Sequence, residues 1–416
     1  SMSGSSPVFN GMLLLSLLLG GSGAAWAAMA ESPAEGERRL VVVEGADFFG
    51  SDYLTLEELD LDACQSACLA DDECKAFTYN TKARWCFLKR DHGDLRPFTG
   101  AVSGYVAQDG TDGRELAARR MSELGFLPKG FADKGREQAQ RIAGLPQSAR
   151  PFDHLVSDAR AAERSGKLAR AGSLYESALR MVPRSASLWY DLSRVRLATE
   201  TQGWQARERL REQAGAAAVN AYLRAGSDAD RAAALERLGR ALADGSHWLP
   251  AIRALRASLA LAEDPGIRAA YDELVREHGF RITGHRVDSD AMHPRICVEL
   301  SHPVPRDRVG LADFVQLEDG RGLAVEVEPG QLCVDGAVHG ERYRVRVRAG
   351  LPAANGETLA RTADLDIYVR DRSPAVRFPG RAYVLPRGGE AAIPVVSVNS
   401  ERIDAVLYRI GDRAMA

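Results

Sequence analysis

The fold of the first module is decided by residues 46–105, whose sequence is ADFFGSDYLTLEELDLDACQSACLADDECKAFTYNTKARWCFLKRDHGDLRPFTGAVSGY. Four of the six cysteines lie in this stretch, at Cys64, Cys68, Cys74 and Cys86. A segment of about 60 residues buries too little core to be stable by packing alone. Two disulfides would add about 2–4 kcal/mol each, so the stretch predicts a small disulfide-knotted module of the α+β class.

The first half of the stretch predicts a helix. Asp62 followed by Gln65 has the spacing of a capping box, which places the start of the helix near Asp62. Cys64 and Cys68 then lie one turn apart on the same face. A bond between these two cysteines would hold nothing outside the helix, whereas bonds to other segments would fix the helix in place.

Two strands follow the helix. Residues 76–79 and 85–88 are rich in aromatic and apolar side chains, which favours strands, and residues 80–82 form the turn between them. Four cysteines allow three disulfide connectivities, and the residues alone do not choose among them. A metal site is the alternative, but the cysteines lack a Cys-x2-Cys spacing and a companion pair of histidines.

The same residues resemble the four-cysteine form of the PAN/Apple family. The resemblance lies in the run C-x3-C-x5-C-x2-F-x-Y, then W-C-x-L-K, then Ser103-Gly104-Tyr105. It implies a helix cradled by a curved antiparallel sheet, with disulfides Cys64–Cys86 and Cys68–Cys74. It also implies binding of a protein or carbohydrate rather than catalysis.

Three residues of this module are candidates for contacting such a ligand: Arg84, Trp85 and Lys89. The alternative is that they are ordinary strand residues. The acidic residues around the helix are interpreted as a solvated face with helix-capping duty, with a calcium site as the alternative.

The first thirty residues have the pattern of a signal peptide. Residues 12–19 form an apolar run too short to span a bilayer, and Ala28-Met29-Ala30 matches an A-x-A cleavage site that would leave Glu31 as the new terminus. No Lys or Arg precedes the run, and a disordered apolar tail is the alternative. Export to the periplasm or cell envelope, without a membrane span, agrees with disulfide formation.

The composition excludes one class of partner. The net charge is −3, the pI is near 6.3, and no basic patch stands out. Nucleic acid is therefore not an expected partner.

We predict a PAN/Apple-like domain at residues 31–107, followed by a helical region at residues 108–279. In the helical region Ala, Leu, Arg and Glu dominate and apolar residues recur every three or four positions. The region resembles a degenerate tetratricopeptide array of about three helix pairs, and a generic helical bundle is the alternative. The residues that carry this resemblance are Gly166, Ala171, Tyr175, Ala178, Pro183, Trp189 and Leu192.

Residues 280–372 predict a β-sandwich of macroglobulin or immunoglobulin kind, because short strands with alternating patterns are separated by Gly, Pro and Asn-Gly turns. Cys297 and Cys333 lie in two of these strands and are expected to pair. Residues 373–416 are interpreted as the truncated start of a further β domain, with strands at 392–398 and 403–410.

The C-terminal third resembles the beginning of a bacterial alpha-2-macroglobulin. Its matching segments are GHRVDS, CVELS, QLCV, YRV, LPAANGE, YVRDR and RFPGR, which lie between Gly284 and Arg381. The resemblance implies an envelope protein that traps proteases by closing around them after a bait region is cleaved. Some proteobacterial members place an Apple-like module ahead of this part.

The family's internal thioester needs a Cys-x-x-Gln arrangement, which is absent from this sequence. The bait and thioester regions of the family lie beyond the part that this chain resembles. The fragment is therefore not expected to trap a protease alone.

No catalytic residues and no cofactor are predicted, since nucleophile-elbow, P-loop, zincin and dinucleotide motifs are absent. His285, Asp288, Asp290 and His293 lie within nine residues but share no face, so no metal site is assigned to them. The chain is predicted to be a non-enzymatic part of a protease inhibitor whose partners are proteases. The alternative is an adhesion module that binds protein or carbohydrate and has no inhibitor activity.

Overall fold

The computed structural model describes residues 38–107, 111–306, 308–318, 322–380 and 392–409. The predicted signal peptide at residues 1–30 lies outside the described residues. Among those that are described, no helix has both the length and the apolar character needed to cross a membrane.

The first module is a five-stranded antiparallel sheet with one helix. The strand order is β1-β5-β3-β4-β2. The elements are β1 Arg39–Phe48, β2 Asp52–Leu56, α1 Leu61–Ala70, β3 Ala76–Asn80, β4 Trp85–Lys89 and β5 Leu95–Ala107. The fold class predicted for this module is confirmed.

The predicted start of the helix is wrong by two residues. Asp60 is the N-cap, because its carboxylate accepts a hydrogen bond from the Ala63 amide at 2.8 Å. Asp62 lies in the first turn instead. The predicted turn does form between β3 and β4, where Asn80 Oδ1 accepts from the amides of Lys82 and Ala83.

Helix α1 packs on one face of the sheet and is held there by two disulfides. The disulfides Cys64–Cys86 and Cys68–Cys74 join α1 to β4 and to the segment before β3. This is the pairing that the resemblance implies. All four cysteines are fully buried, together with Phe77 and Leu88.

The middle of the chain is a tetratricopeptide-like helical array, as predicted. Its helices are α2 Thr111–Glu123, α3 Phe131–Ala143, α4 Phe152–Arg164, α5 Leu168–Met181, α6 Ala186–Ala198, α7 Trp204–Arg224, α8 Asp228–Asp244, α9 Trp248–Leu261 and α10 Pro265–His278. From α4 onward, consecutive helices pack against each other. Gly166 makes the turn between α4 and α5 with φ of 73°, a conformation that favours glycine. Tyr175 and Trp189 are buried core residues, as the repeat pattern indicates.

A β-sandwich follows the array. One sheet has the order β6-β7-β10-β9 and the other has the order β12-β11-β8. The strands are β6 Ile282–Val287, β7 Arg295–Leu300, β8 Val315–Leu317, β9 Ala324–Glu328, β10 Gln331–Asp335, β11 Arg342–Val347 and β12 Ala363–Tyr368. Cys297 and Cys333 face each other across β7 and β10 and form a disulfide.

The end of the described chain forms a small ribbon. Strands β13 Ala375–Arg377 and β14 Val396–Val398 pair antiparallel. The strand expected at residues 403–410 is not formed within 403–409, where Leu407 is 93% exposed. No described element packs on this segment, so its backbone finds no ladder partner.

Candidate functional site

The predicted ligand surface centres on an aromatic pair of β4, in which Trp85 is exposed and Phe87 is half-buried. Trp85 is 41% exposed, and its ring centroid lies 6.3 Å from that of Phe87 in an edge-to-face arrangement. Both side chains point away from α1, because Cys86 between them joins the helix. An aromatic pair of this kind can stack on a sugar ring or on an apolar side chain.

Arg84 lies beside this pair in a constrained turn. Its φ is 57°, its amide donates to the Asn80 carbonyl at 2.8 Å, and its carbonyl accepts from the Leu59 amide at 3.1 Å. The backbone of the turn is therefore fixed, while the Arg84 side chain is exposed.

Lys89 is separated from the other two candidates. The residue is only 2% exposed, and its ammonium forms an ion pair with Asp52 and donates to the Gly50 carbonyl at 3.1 Å. A lysine held in this way links β4 to β2 and is not available to a ligand. The structure thus brings Arg84 and Trp85 together, adds Phe87 and places Lys89 elsewhere.

The β1 and β5 part of the sheet face opposite α1 is docked on the helical array. Phe48 and Tyr105 belong to the same buried cluster as Phe152 and Val156 of α4. We call this contact the docking seam, which consists of β1, the β4–β5 loop and β5 on one side and α4 and the α5–α6 turn on the other. The cluster runs through both modules, so the disulfide-linked module and the array share one core.

Two polar contacts flank the apolar part of the docking seam. Thr99 donates to Asp153 Oδ2 at 2.8 Å, and Ser185 donates to Asp94 Oδ1 at 3.0 Å. Gly45 sits over Asp153 with φ of 74°, and a Cβ at Gly45 would lie 2.1 Å from Asp153 Oδ1. Glycine is required at this position because of both the positive φ and the short distance to Asp153.

A second junction joins the array to the sandwich. Glu357 accepts hydrogen bonds from Arg253 and Arg256 of α9, with Arg253 Nε at 3.2 Å. Arg253 also donates to the Asn355 carbonyl at 2.6 Å. Burial of Glu357 alone would raise the pKa of its carboxyl, but the hydrogen bond and charge of Arg256, together with Arg253, hold that pKa below its usual value.

Two of the acidic candidates for a metal are engaged by other groups of the protein. Asp290 accepts from Arg370 at 2.9 Å and from the Ser373 amide at 2.8 Å, and these contacts lower the pKa of its carboxyl. Asp71 accepts from the Tyr53 hydroxyl at 2.5 Å. Within the ranges that the structure describes, no group of three or more His, Cys, Asp or Glu residues has the arrangement of a metal site.

A cleft of about 270 Å³ in the array has no counterpart in the sequence-based predictions. It lies between the start of α3, the first half of α7 and the α8–α9 turn. Its charged lining residues are Lys129, Lys134, Glu208, Arg211 and Glu212, and His247 and the ring of Phe131 also line it. Arg211 is held by Asp244 at 2.7 Å, so part of the positive charge is already balanced within the protein.

Comparison with known proteins supports the resemblances drawn from the sequence. Residues 39–111 match the family described as PAN domain. Over 75 residues the chain is 35% identical to an alpha-2-macroglobulin of Xylella fastidiosa strain 9a5c, and 32% identical to that of strain Temecula1. These 75 residues are 18% of this chain and 5% of either relative. The resemblance to the PAN/Apple family and the recognition of the chain as similar to bacterial alpha-2-macroglobulins are confirmed, with the relatives matching over the PAN region. The resemblance drawn on residues 284–381 stays a prediction.

Solved structures also align with parts of the chain. A crystal structure of native Escherichia coli alpha-2-macroglobulin, spanning domains MG0-NIE-MG1, aligns over 29% of this chain and 41% of that chain, with 17% identity and a TM-score of 0.24. The Sgt2 TPR domain from Aspergillus fumigatus aligns over 32% of this chain and 84% of that chain, with 20% identity and a TM-score of 0.26.

Proposed function

We propose that this chain is the N-terminal part of an envelope protease inhibitor of the alpha-2-macroglobulin type, and that it has no enzymatic role. The observation that supports this most is the 35% identity to a bacterial alpha-2-macroglobulin over 75 residues. The aligned part spans only a twentieth of that relative, so protease trapping would depend on sequence outside this chain. The modules described here would position the inhibitor and bind partners.

The trapping proposal is tested on the longer protein that carries this chain at its N-terminus. It is incubated with a panel of endopeptidases, and cleavage of a large protein substrate is compared with cleavage of a small peptide substrate. We expect at least one protease to lose activity on the large substrate while it retains activity on the peptide. The 416-residue chain alone is the control, and it should leave both activities unchanged. Unchanged activities with the longer protein would contradict the proposal.

Export is part of the same proposal. Three disulfides suit an oxidising compartment such as the periplasm or the cell exterior. We expect non-reducing peptide mapping of the periplasm-expressed chain to recover all three bonds, with Glu31 as the new N-terminus. Six free thiols in the exported chain would contradict this part.

The exposed Trp85, packed against Phe87, favours a second role for the PAN domain, namely binding of a protein or carbohydrate ligand. Trp85→Ala should weaken binding to the chain's best ligand at least tenfold in a screen of purified polysaccharides and peptidoglycan fragments. Phe98→Ala is the matched control, since Phe98 is an exposed aromatic at 53% that lies on β5 and is not part of the Trp85–Phe87 pair. Equal binding by Trp85→Ala and wild type would exclude this surface.

A further inference from the structure

The docking seam contains two histidines. His154 of α4 has an exposed side chain and lies 3.8 Å from Asp153, whereas His92 lies in the loop between β4 and β5. Its ring centroid lies 6.1 Å from that of Phe48 and 5.7 Å from that of Tyr105. The residue is half-buried against these two aromatic rings. A histidine in this position must place its charge, when protonated, against apolar side chains.

The charged groups around His92 come from both sides of the docking seam. The α5–α6 turn contributes Arg184, whose guanidinium carbon lies 5.7 Å from the Tyr105 ring centroid. On the loop of His92 itself, Asp91 is the neighbouring residue, and Asp94 accepts from Ser185 of the array. Two further charged groups lie near the docking seam. Asp153 of α4 accepts a hydrogen bond from Thr99. The positive charge of Arg39 on β1 partly offsets the rise in the pKa of Tyr105 that burial causes.

These surroundings favour the neutral form of His92. Burial lowers the pKa of the imidazole, and the positive charge of Arg184 lowers it further, whereas Asp91 opposes the shift. A histidine whose pKa is depressed on folding stabilises the folded state above its unfolded pKa of about 6.5. That contribution is lost as the pH falls through the depressed pKa.

We propose that His92 makes the docking of the PAN domain on the helical array sensitive to mildly acidic pH. Protonation places a second positive charge beside Arg184 inside a seam whose remaining contacts are largely apolar. The seam then loosens at the β4–β5 loop and at the α5–α6 turn, while the disulfide-linked face of the sheet is unaffected. The inference rests on the docking seam alone and holds whether or not the chain belongs to a protease inhibitor.

The first test is a titration of the histidine ring protons of the whole chain by NMR, with assignment of His92 by its loss in His92→Phe. We expect the His92 resonance to titrate below pH 6.5, the usual midpoint. Arg184→Gln should move that midpoint upward, because it removes the charge that disfavours protonation. Since Arg184 is exposed, this variant is expected to fold. A midpoint that does not move in Arg184→Gln would overturn the assigned geometry.

The second test is amide hydrogen exchange at pH 7.5 and pH 5.0, corrected for intrinsic exchange rates. In the wild-type chain, the amides of residues 91–95 and 184–188 should exchange at least fivefold faster at the lower pH. His92→Phe, or His92→Gln if the first variant does not fold, should show no such difference. His293→Phe, which removes an exposed histidine of the sandwich, is the control and should respond as wild type does. The same pH response in both His92 variants would refute the proposal.

Discussion

Replacement of Glu357 by alanine tests how the array holds the sandwich. The Glu357 side chain is only 8% exposed, while its partners Arg253 and Arg256 are 29% and 48% exposed. A hydrogen bond to a charged group contributes about 1.5–3 kcal/mol. Both arginines can be rehydrated after the substitution, which offsets part of the loss. We therefore expect the two contacts together to contribute about 2 kcal/mol to the stability of the junction.

Hydrogen exchange in the loop that carries Glu357 measures this loss locally. The Ala353 amide donates to the Glu357 carbonyl at 2.8 Å, and the Leu359 amide donates to the Leu351 carbonyl at 2.8 Å. A loss of about 2 kcal/mol should make these two amides exchange roughly 30-fold faster. Glu318→Ala is the control, because Glu318 pairs with arginines on the exposed surface of the same sandwich. A change of less than twofold in Glu357→Ala would show that the junction is not held by this carboxylate.

Four further outcomes follow from the structure. Gly45→Ala should destabilise the docking seam by roughly 2 kcal/mol in urea titration, since its Cβ would displace Asp153 and its φ is 74°. Tyr175→Phe should lower the free energy of unfolding by about 1 kcal/mol in thermal denaturation, because phenylalanine cannot donate the hydrogen bond that Tyr175 makes to Glu163. The contribution of Glu357 should begin to fall below its unfolded pKa of about 4.3 and be lost as the pH falls through its lower folded pKa, so its alanine variant and the wild type converge in amide exchange. Reduction by dithiothreitol should unfold the α1 face of the PAN domain, seen as protease cleavage within residues 61–75, and intact resistance would contradict the role given to the two disulfides.

Local patterns predicted the type of most elements. The spacing of Cys64, Cys68 and Cys74 against the following aromatic residues is sufficient to indicate the helix and the two strands. Strand β2 was missed, because Asp52–Leu56 contains a single alternation and lies beside acidic residues that favour loops. Its pairing with β4 is set by the tertiary structure.

The candidate site was predicted in part, and the errors share a cause. Arg84 and Trp85 are exposed as expected, but the burial of Lys89 depends on Asp52, which is 37 positions away along the chain. Glu357 and Arg253 are 104 positions apart. Periodicity over a window of 10–18 residues carries no signal for contacts of this length.

The shared core of the docking seam bears on how such a chain can be assembled from parts. If the chain were divided at residues 108–110 and the two pieces were separated, Phe48 and Tyr105 would be exposed on one piece and Phe152 and Val156 on the other. Each piece would then present an apolar surface to water and tend to aggregate. A gene that gained or lost the PAN segment would therefore need compensating changes on α4, so the two segments are expected to be inherited together and to vary together at these contact positions.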